Sequence, residues 1–447
     1  MRYPKWLRRR QQLDMRTFQP LPVDGYLVGG ALRDLLLGRD FDDLDWLVAE
    51  PEREARAAAT ALGGSAFALD EKRGHWRVVT SQGTRDYIRL DQPLEQELSS
   101  RDFTLNALAA TLAGEIIDPC GGRQDLKRNI VRMVSEEGLE RDPLRLLRGV
   151  RFVTTLGFRL DEATGKAITS CAAAQRAGSL PPPAWERIRE ELNRIISVSR
   201  AGRGFQLLDE LDLLEQYLPE LCAGRGVEQG DFHHLDVLGH SLEALNQLAQ
   251  GFPEASIPLR WATLLHDVGK PPKKQLGEDG HLHFYGHDRL GAILTRQILR
   301  RLRQKRAVAD PAGRLVRYHM LPLPRGEREA RRFVHRRRDL LPDLLKLMIA
   351  DREAARGPRS SEQARHAYRL ALAHVIRLLK QSPPRKPLLD GREIMELLGL
   401  PEGPAIGEAL RFIREAEAVG DIGNEEQARE VLLHFARARG WLSCQGR

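Results

Sequence analysis

Apolar positions divide this 447-residue chain into a mixed first part and a helical remainder. In the first part, Tyr26 to Val28 and the alternating run Arg85 to Leu90 predict strands, and Ala31 to Leu37 predicts a helix. Beyond residue 120 the apolar spacing is helical in three stretches, Arg145 to Leu156, Glu186 to Ser197 and Phe205 to Tyr217. The pattern predicts an α+β head followed by all-α segments.

The first strand and helix frame a tight turn that is followed by two carboxylates. Gly29 and Gly30 let the backbone pass close to a ligand, and the first amides of the next helix can bind phosphate. Asp43 and Asp45 are two apart on a predicted strand, so they point to one face and can share divalent metal. Either element alone is more often without function, but their order and spacing predict nucleotidyl transfer.

These motifs resemble the head of the tRNA CCA-adding enzyme and poly(A) polymerase family in its bacterial class. The similarity rests on GGALRD at residues 29–34, on DLDW at 43–46, on SRDFTLNALAA at 100–110 and on GEIIDP at 114–119. In the third motif Ser100 replaces the family's first arginine. The resemblance implies a polymerase-beta-like nucleotidyltransferase head.

The resemblance also implies roles for individual residues. Asp43 and Asp45 would be catalytic and hold Mg²⁺, and Asp86 stands where related folds place a third acidic residue. Residues expected to bind the phosphates, ribose and base of the nucleotide are Gly30, Arg33, Arg101, Asp102, Asn106, Asp142, Arg145, Arg148 and Arg151. Asp142 and Arg145 match the family's EDxxR template motif, in which Asp and Arg hydrogen-bond the base edge of CTP or ATP, although Arg141 replaces its Glu.

The polar residues of RDPLRLLRGVR, at 141–151, recur every three positions. Asp142, Arg145, Arg148 and Arg151 therefore spread over one half of a predicted helix, opposite its leucines. A solvated arginine face would give the same spacing, and only the resemblance favours a ligand-binding face.

A second constellation occurs between residues 231 and 360. Histidines and aspartates recur there in the order His240, His266 with Asp267, His287, His319 and Asp351. This order resembles the HD phosphohydrolase superfamily, and imidazole and carboxylate groups can hold a divalent metal that activates water. We expect a divalent metal of unknown identity here, and phosphohydrolase activity is an additional possibility.

Composition agrees with a globular protein that binds a polyanion. Hydrophobic residues make up 42% of the chain and charged residues 30%, the net charge is +8 and the pI is about 9.4. The four cysteines, Cys120, Cys171, Cys222 and Cys444, are far apart, so neither a disulfide framework nor a zinc knuckle is indicated. With no apolar leader or membrane-length run, we expect a cytoplasmic protein without membrane contact. No protein partner is implied.

Four segments are expected. They are a nucleotidyltransferase head at 1–120, a helical neck and body at 121–230, an HD domain at 231–360 and a helical, tRNA-binding tail at 361–447.

The first expectation for function is template-independent addition of C, C and A to tRNA 3' ends from CTP and ATP, with release of pyrophosphate. Only nine residues, Asp91 to Ser99, separate the third strand from the SRDF motif, whereas CCA-adding relatives carry a longer loop there. Addition of CC or A alone is therefore an alternative, as is poly(A) polymerase. A remote alternative is a non-catalytic tRNA-binding or HD phosphohydrolase protein.

Overall fold

The computed structural model describes residues 13–41, 43–230, 233–278, 280–357, 361–381 and 387–442. The chain divides into two compact units. The first unit comprises Met1–Pro219 with Arg301–Gln304, and the second comprises Glu220–Arg300 with Lys305–Arg447. The division into four segments stays a prediction.

The described part of the first unit contains a seven-stranded mixed sheet, the head sheet, in the order β3-β4-β5-β2-β1-β6-β7. Its strands are β1 (Tyr26–Val28), β2 (Asp43–Val48), β3 (Ser65–Asp70), β4 (His75–Thr80), β5 (Gly83–Arg89), β6 (Ala109–Thr111) and β7 (Ile116–Ile117). Strand β2 runs parallel to β5 and antiparallel to β1, and β4 is antiparallel to both β5 and β3. All three predicted strands are present: Tyr26 to Val28 forms β1, Asp43 and Asp45 lie on β2, and Arg85 to Arg89 forms most of β5.

Helices surround the head sheet and continue beyond it. They are α1 (Gly29–Leu37), α2 (Pro51–Leu62), α3 (Leu94–Ser99), α4 (Gly122–Arg128), α5 (Glu136–Arg141), α6 (Leu144–Leu156), α7 (Glu162–Arg176), α8 (Trp185–Ile196), α9 (Ala201–Glu210) and α10 (Leu214–Tyr217). Short 3-10 helices span Met15–Phe18 and Thr104–Asn106, and β8 (Ile130–Val131) pairs in parallel with β9 (Arg159–Leu160).

Local sequence explains where these helices begin and end. Helix α2 starts with Pro51, whose fixed φ suits a first helical turn, and ends at Gly63 in the left-handed conformation. The helical stretch predicted from Phe205 to Tyr217 is interrupted, because Asp212 adopts a φ of 57° and separates α9 from α10.

The second unit is mainly helical. After α11 (Pro219–Cys222), which begins at the boundary, it contains α12 (Val237–Gly251), α13 (Ile257–Leu265), α14 (His287–Arg301), α15 (Arg306–Tyr318), α16 (Glu327–Arg337), α17 (Leu341–Ala354), α18 (Glu362–Gln381), α19 (Gly391–Leu398), α20 (Pro404–Val419) and α21 (Glu425–Ala438). A short hairpin joins β10 (Gln275–Leu276) to β11 (Leu282–His283), after a 3-10 turn at Pro271–Lys273. The α+β fold class is confirmed.

Two expectations from composition can be compared with the structure. Among the described residues no disulfide includes Cys120, Cys171 or Cys222, whereas Cys444 lies outside the described residues. In the parts of the chain that the structure describes, no helix combines the length and the apolarity that a membrane crossing needs.

Candidate functional sites

Three carboxylates lie side by side on one face of the head sheet. In the parallel pairing of β2 with β5, Asp45 stands opposite Asp86 and Asp43 opposite Thr84. The Thr84 hydroxyl donates a hydrogen bond of 2.5 Å to Asp43 Oδ1. Burial, together with the charge of Asp86, raises the pKa of Asp45 to about 6. A cation between Asp43 and Asp45 would relieve this unfavourable charge, so the pair suits a divalent metal.

Asp86 differs from the other two because an arginine already neutralises it. Arg77 on β4 donates from Nε to Oδ1 and from Nη2 to Oδ2, each at 2.7 Å, and His75 Nε2 lies 3.3 Å from Oδ2. Two parallel N–H···O contacts form the strongest arginine–carboxylate arrangement. With both oxygens engaged, Asp86 is less available to a metal than Asp43 or Asp45. The sequence predictions omitted Arg77 and His75, although both belong to the alternating run that forms β4.

The glycine turn brings the start of α1 against the carboxylates. Gly29 has a φ of +76°, and a Cβ atom on it would lie 2.6 Å from Asp45 Oδ2. At Gly30 the nearest atom to such a Cβ would be Arg33 Nη2 at 3.5 Å, an ordinary contact. Gly29, rather than Gly30, is therefore the position in this turn that requires glycine.

Arg33 and the SRDF motif meet in a connected polar network. Arg33 donates from Nη1 to Asn106 Oδ1 at 2.8 Å and also holds Asp34 through two hydrogen bonds. Asn106 in turn donates to Asp102 Oδ1 at 3.0 Å, and Arg101 Nη1 donates to the Asn106 carbonyl at 3.4 Å. These links fix side chains from α1 and from the 3-10 turn at Thr104–Asn106 around one cavity.

The arginines of α6, namely Arg145, Arg148 and Arg151, line the same cavity and form its basic wall. Arg148 Nη2 lies 2.8 Å from Asp102 Oδ2. Arg151 donates from Nε to Glu191 Oε2 at 2.5 Å, and its guanidinium lies 4.0 Å from the centre of the Phe152 ring. Both Arg151 and Glu191 are nearly buried, at 11% and 8% side-chain exposure, which contradicts a purely solvated arginine face. Glu191 and Phe152 were not predicted as site residues.

Arg145 and Asp142 take different positions. Arg145 lines the cavity and donates to the main-chain oxygens of Ser100 and Arg101, at 2.9 and 3.2 Å. Asp142 is not among the residues that line the cavity; Arg187 on α8 donates to its two oxygens, at 3.2 and 2.9 Å. The predicted template pair is therefore not aimed at a common point in this structure.

A cleft of about 580 Å³ collects most of the predicted head residues. Those that line it are Gly30, Arg33, Asp43, Asp45, Asp86, Arg101, Asp102, Asn106, Arg145, Arg148 and Arg151. Carboxylates and arginines that line one cleft suit a ligand that is a metal-bound polyanion, such as a nucleoside triphosphate.

The second constellation forms a buried cluster in the second unit, the histidine–aspartate cluster. His240 lies on α12 and Asp351 on α17, and the remaining members are His266 and Asp267 after α13, His287 at the start of α14 and His319 after α15. Two groups have ligand atoms close enough for a metal ion, one of His240, His266 and Asp267 and the other of Asp267, His287 and His319. Asp351 joins the first group, since its Oδ1 lies 2.9 Å from His240 Nε2.

Main-chain carbonyls orient three of these imidazoles. Each ring pairs through Nδ1 with the carbonyl three residues earlier, at 2.8 Å for His266, 2.8 Å for His287 and 2.7 Å for His319. With Nδ1 as the donor, Nε2 keeps its lone pair and points into the cluster. Burial disfavours a charged His266, but Asp267 and Asp351 outweigh it and raise its pKa to about 10. A metal cation could replace that proton, so the donor set fits a metal.

Two neighbours of the cluster were not predicted. Lys270 Nζ lies 2.7 Å from Asp267 Oδ2 and donates to Gln229 Oε1 at 2.7 Å. The His233 ring packs edge-on against His240 at 4.5 Å, and burial lowers the pKa of His233 to about 3, so it is neutral. Lys270 follows the HD pair by three residues, and this short spacing is the signal that could have identified it.

Comparison with known proteins gives three matching family models. A poly A polymerase head domain matches residues 25–132, a "probable RNA and SrmB- binding site of polymerase A" matches 157–224, and an HD domain matches 233–356.

Relatives match almost the whole chain. The A-adding tRNA nucleotidyltransferase of Deinococcus radiodurans is 51% identical over 93% of this chain and 96% of its own length. The CC-adding tRNA nucleotidyltransferase of Thermus thermophilus is 44% identical over 94% and 95%. The crystal structure of the Bacillus stearothermophilus CCA-adding enzyme in complex with CTP superposes with a TM-score of 0.65 at 26% identity, covering 93% of this chain and 94% of that one.

We predict that Gly29→Ala destabilises the protein whereas Gly30→Ala does not. The first change forces a side chain into a left-handed conformation against Asp45 and should cost about 2 kcal/mol of unfolding free energy. The second places Ala in a helix with room for it and should leave stability unchanged or raise it by about 0.5 to 1 kcal/mol. Denaturant unfolding without nucleotide measures both, and equal stabilities of the two variants would contradict the assignment.

Proposed function

This chain belongs to the tRNA nucleotidyltransferase and poly(A) polymerase family, and from that premise we propose that it adds part of the C, C, A sequence to tRNA 3' ends. The observation that carries this proposal is the similarity, over nearly the full length of both chains, to one A-adding and one CC-adding enzyme. The substrates would be tRNA with ATP or CTP, and pyrophosphate would be released.

Separate observations favour each partial activity. The higher identity, 51% against 44%, favours addition of A. The connection after β5 favours addition of CC, because only residues 90–93 precede α3, and Leu94 and Leu98 anchor that helix in the core. By family resemblance, a short connection at this point accompanies CC addition. Addition of the complete C, C, A sequence stays a prediction.

In the head, Asp43 and Asp45 would hold Mg²⁺. The bound metal would supply charge for the triphosphate and lower the pKa of the primer's 3' hydroxyl. Asp86, held by Arg77, would add negative charge beside the pair without needing to bind metal directly. Support for this division comes from the different partners of the three carboxylates.

The remaining cleft residues would bind and orient the nucleotide. The first amides of α1, with Gly30 and Arg33, would contact phosphates. The network of Arg101, Asp102 and Asn106 would hold the ribose, and Arg148 and Arg151 would complete the basic wall. Because these side chains already hold one another, little freedom would be lost when the nucleotide binds.

Arg145 and Asp142 would read the base. Both oxygens of Asp142 accept hydrogen bonds from Arg187. Asp142 can therefore contact a base only if it gives up one or both of these hydrogen bonds, or if Arg187 moves with it. Base recognition would therefore include a local rearrangement of Asp142, Arg145 and Arg187.

The histidine–aspartate cluster would hold a divalent cation and support phosphohydrolase activity. Asp267 belongs to both of its ligand groups, so it could serve two cations. We retain the division into head, neck and body, HD domain and tRNA-binding tail as part of this proposal.

A primer series tests the nucleotide programme. Purified protein is given tRNA that ends before CCA, after C, or after CC, together with one labelled nucleotide at a time. An A-adding enzyme uses only ATP on the CC end, a CC-adding enzyme uses only CTP on the two shorter ends, and a complete enzyme extends all three. In every case Asp43→Ala and Asp45→Ala should abolish addition yet leave tRNA binding nearly intact, because the lost groups bind metal.

The matched control for these variants is Glu52→Ala, an exposed change on α2 of the same head, which should retain full activity. Addition that persists in both carboxylate variants would remove the proposed active site. Wild-type protein that adds nothing to any of the three primers would overturn the proposed function.

Asp142→Ala and Arg145→Ala should weaken discrimination among CTP, ATP, UTP and GTP. Each unmatched buried polar group penalises a wrong base by about 1 to 3 kcal/mol, which corresponds to about 5-fold or more in selectivity. Relative kcat/KM on one primer measures this, with Arg128→Ala, an exposed change on α4, as the control. If these residues bind only phosphate, kcat/KM should instead fall by the same factor for all four nucleotides. An unchanged selectivity ratio in both variants would therefore exclude base reading.

His266→Ala or Asp267→Ala should eliminate metal-dependent hydrolysis and spare nucleotide addition, because the two sites belong to different compact units. Hydrolysis of p-nitrophenyl phosphate and of its diester is followed with Mg²⁺, Mn²⁺ or Zn²⁺, and bound metal is counted per chain. Exposed His434→Ala serves as the control. Unchanged metal content in both cluster variants would refute the metal site, and a parallel loss of nucleotide addition in a folded variant would refute independence.

A further inference from the structure

Three large apolar side chains are exposed at one edge of the head sheet: Phe67, Val79 and Leu69, which is 44% exposed and lies at the irregularity in the pairing of β3 with β4. Phe67 on β3 is 45% exposed and Val79 on β4 is 43% exposed. Strand β3 is the outermost strand on that side of the sheet. An exposed aromatic side chain on an edge strand invites aggregation unless something binds there, so the position of Phe67 and Val79 bears on function.

Strand register places Phe67 on the same face of the sheet as the carboxylates. Phe67 pairs with Arg77, Arg77 with Asp86, and Asp86 with Asp45, so the four residues form one row across β3, β4, β5 and β2. Directly paired residues point to the same side of a sheet, and the ion pair between Arg77 and Asp86 agrees. Val79 is two residues from Arg77 and therefore shares this face.

The opposite face at this edge is occupied by α2. Trp76, which points away from Arg77, is buried there and lies under the Arg56 guanidinium at 5.2 Å. The carboxylate face is thus the one left open beside Phe67. Arg77 and Asp86 both line the nucleotide cleft, so Phe67 and Val79 continue directly from that cleft.

The row also gives a distance. Neighbouring strands lie about 4.8 Å apart, so three spacings put Phe67 about 14 Å from Asp45. Stacked nucleotides rise by about 3.4 Å each, which is about four nucleotides over that distance and fewer in a stretched strand. A primer whose 3' hydroxyl reaches Asp43 and Asp45 could therefore place one of its last bases at Phe67.

We propose that Phe67, with Val79 beside it, is a stacking platform for an unpaired base of the tRNA 3' end, within four nucleotides of the reacting hydroxyl. This inference rests on the proposed function. An aromatic ring beside an aliphatic side chain offers no hydrogen-bond donor or acceptor, so it would bind any base through its π face. Such a contact holds the primer in place without reading its sequence.

A double-mutant cycle between protein and RNA tests the platform. Phe67→Ala should raise KM for tRNA about 5-fold or more with little change in kcat, because a base–aromatic stack is lost. Phe67→Tyr keeps the ring and should behave as wild type. Val23→Ala removes an apolar side chain that is 77% exposed on the segment bonded to α2, and it should have no effect.

Four further primers complete the cycle, and each lacks the base at a different one of the last four positions. At one position, removal of the base should raise KM for wild type but add nothing to Phe67→Ala, because both changes remove the same contact. Effects that add at all four positions, or an unchanged KM in Phe67→Ala, would overturn the proposal.

Fluorescence separates this inference from the catalytic proposal. 2-Aminopurine at the same four positions should be quenched by wild type at one of them, and less by Phe67→Ala, whether or not nucleotides are added. Quenching without addition would overturn the proposed function and keep the platform. Equal quenching by both proteins would overturn the platform and leave the proposed function intact.

Discussion

The head depends on keeping Asp43, Asp45 and Asp86 side by side on two neighbouring strands. Carboxylates at this spacing repel one another, and the repulsion grows as water is excluded. The structure compensates each one differently: a hydroxyl donates to Asp43, a bidentate arginine neutralises Asp86, and Asp45 is left with a raised pKa near 6. A bound cation would therefore relieve more unfavourable charge at Asp45 than at the other two carboxylates. A side chain at Gly29 would occupy the space beside Asp45 Oδ2.

The same balance of charge extends to the basic wall. A row of arginines on one helix would repel itself if its members were free, yet Arg148 pairs with Asp102 and Arg151 with Glu191. Arg145 is held by main-chain carbonyl groups instead. Since each guanidinium keeps protons that face the cleft or solvent, the wall can remain positive while its geometry is fixed. The histidine–aspartate cluster follows a related rule, since main-chain carbonyls hold three of its four rings and Asp267 belongs to both groups of ligands.

Sequence predicted the parts of these sites that have a local signature. Two aspartates at strand spacing, the glycine turn and the ordered histidines are each visible within a few residues, and the structure gathers them as expected. The sequence alone could not predict the roles of Arg77, Glu191 or Arg187. Each contacts its partner across neighbouring strands or helices, and no spacing along the chain indicates such a contact. Phe67 and Val79 are similar: their common face with the carboxylates follows from strand order and register, which only a folded sheet defines.

Under the proposed function, the choice of nucleotide depends on which side chains can move around the fixed carboxylates of the head. Relatives that add A and relatives that add CC both resemble this chain over nearly its whole length, so similarity alone does not determine which base is used. One Asp and Arg pair can match two different bases only if it adopts two arrangements, and each must be populated. Here α3 follows β5 after four residues and is anchored in the core, while Arg187 holds Asp142. Such constraints raise the free energy of a second arrangement, and they favour an enzyme that completes one part of the sequence over one that switches between bases.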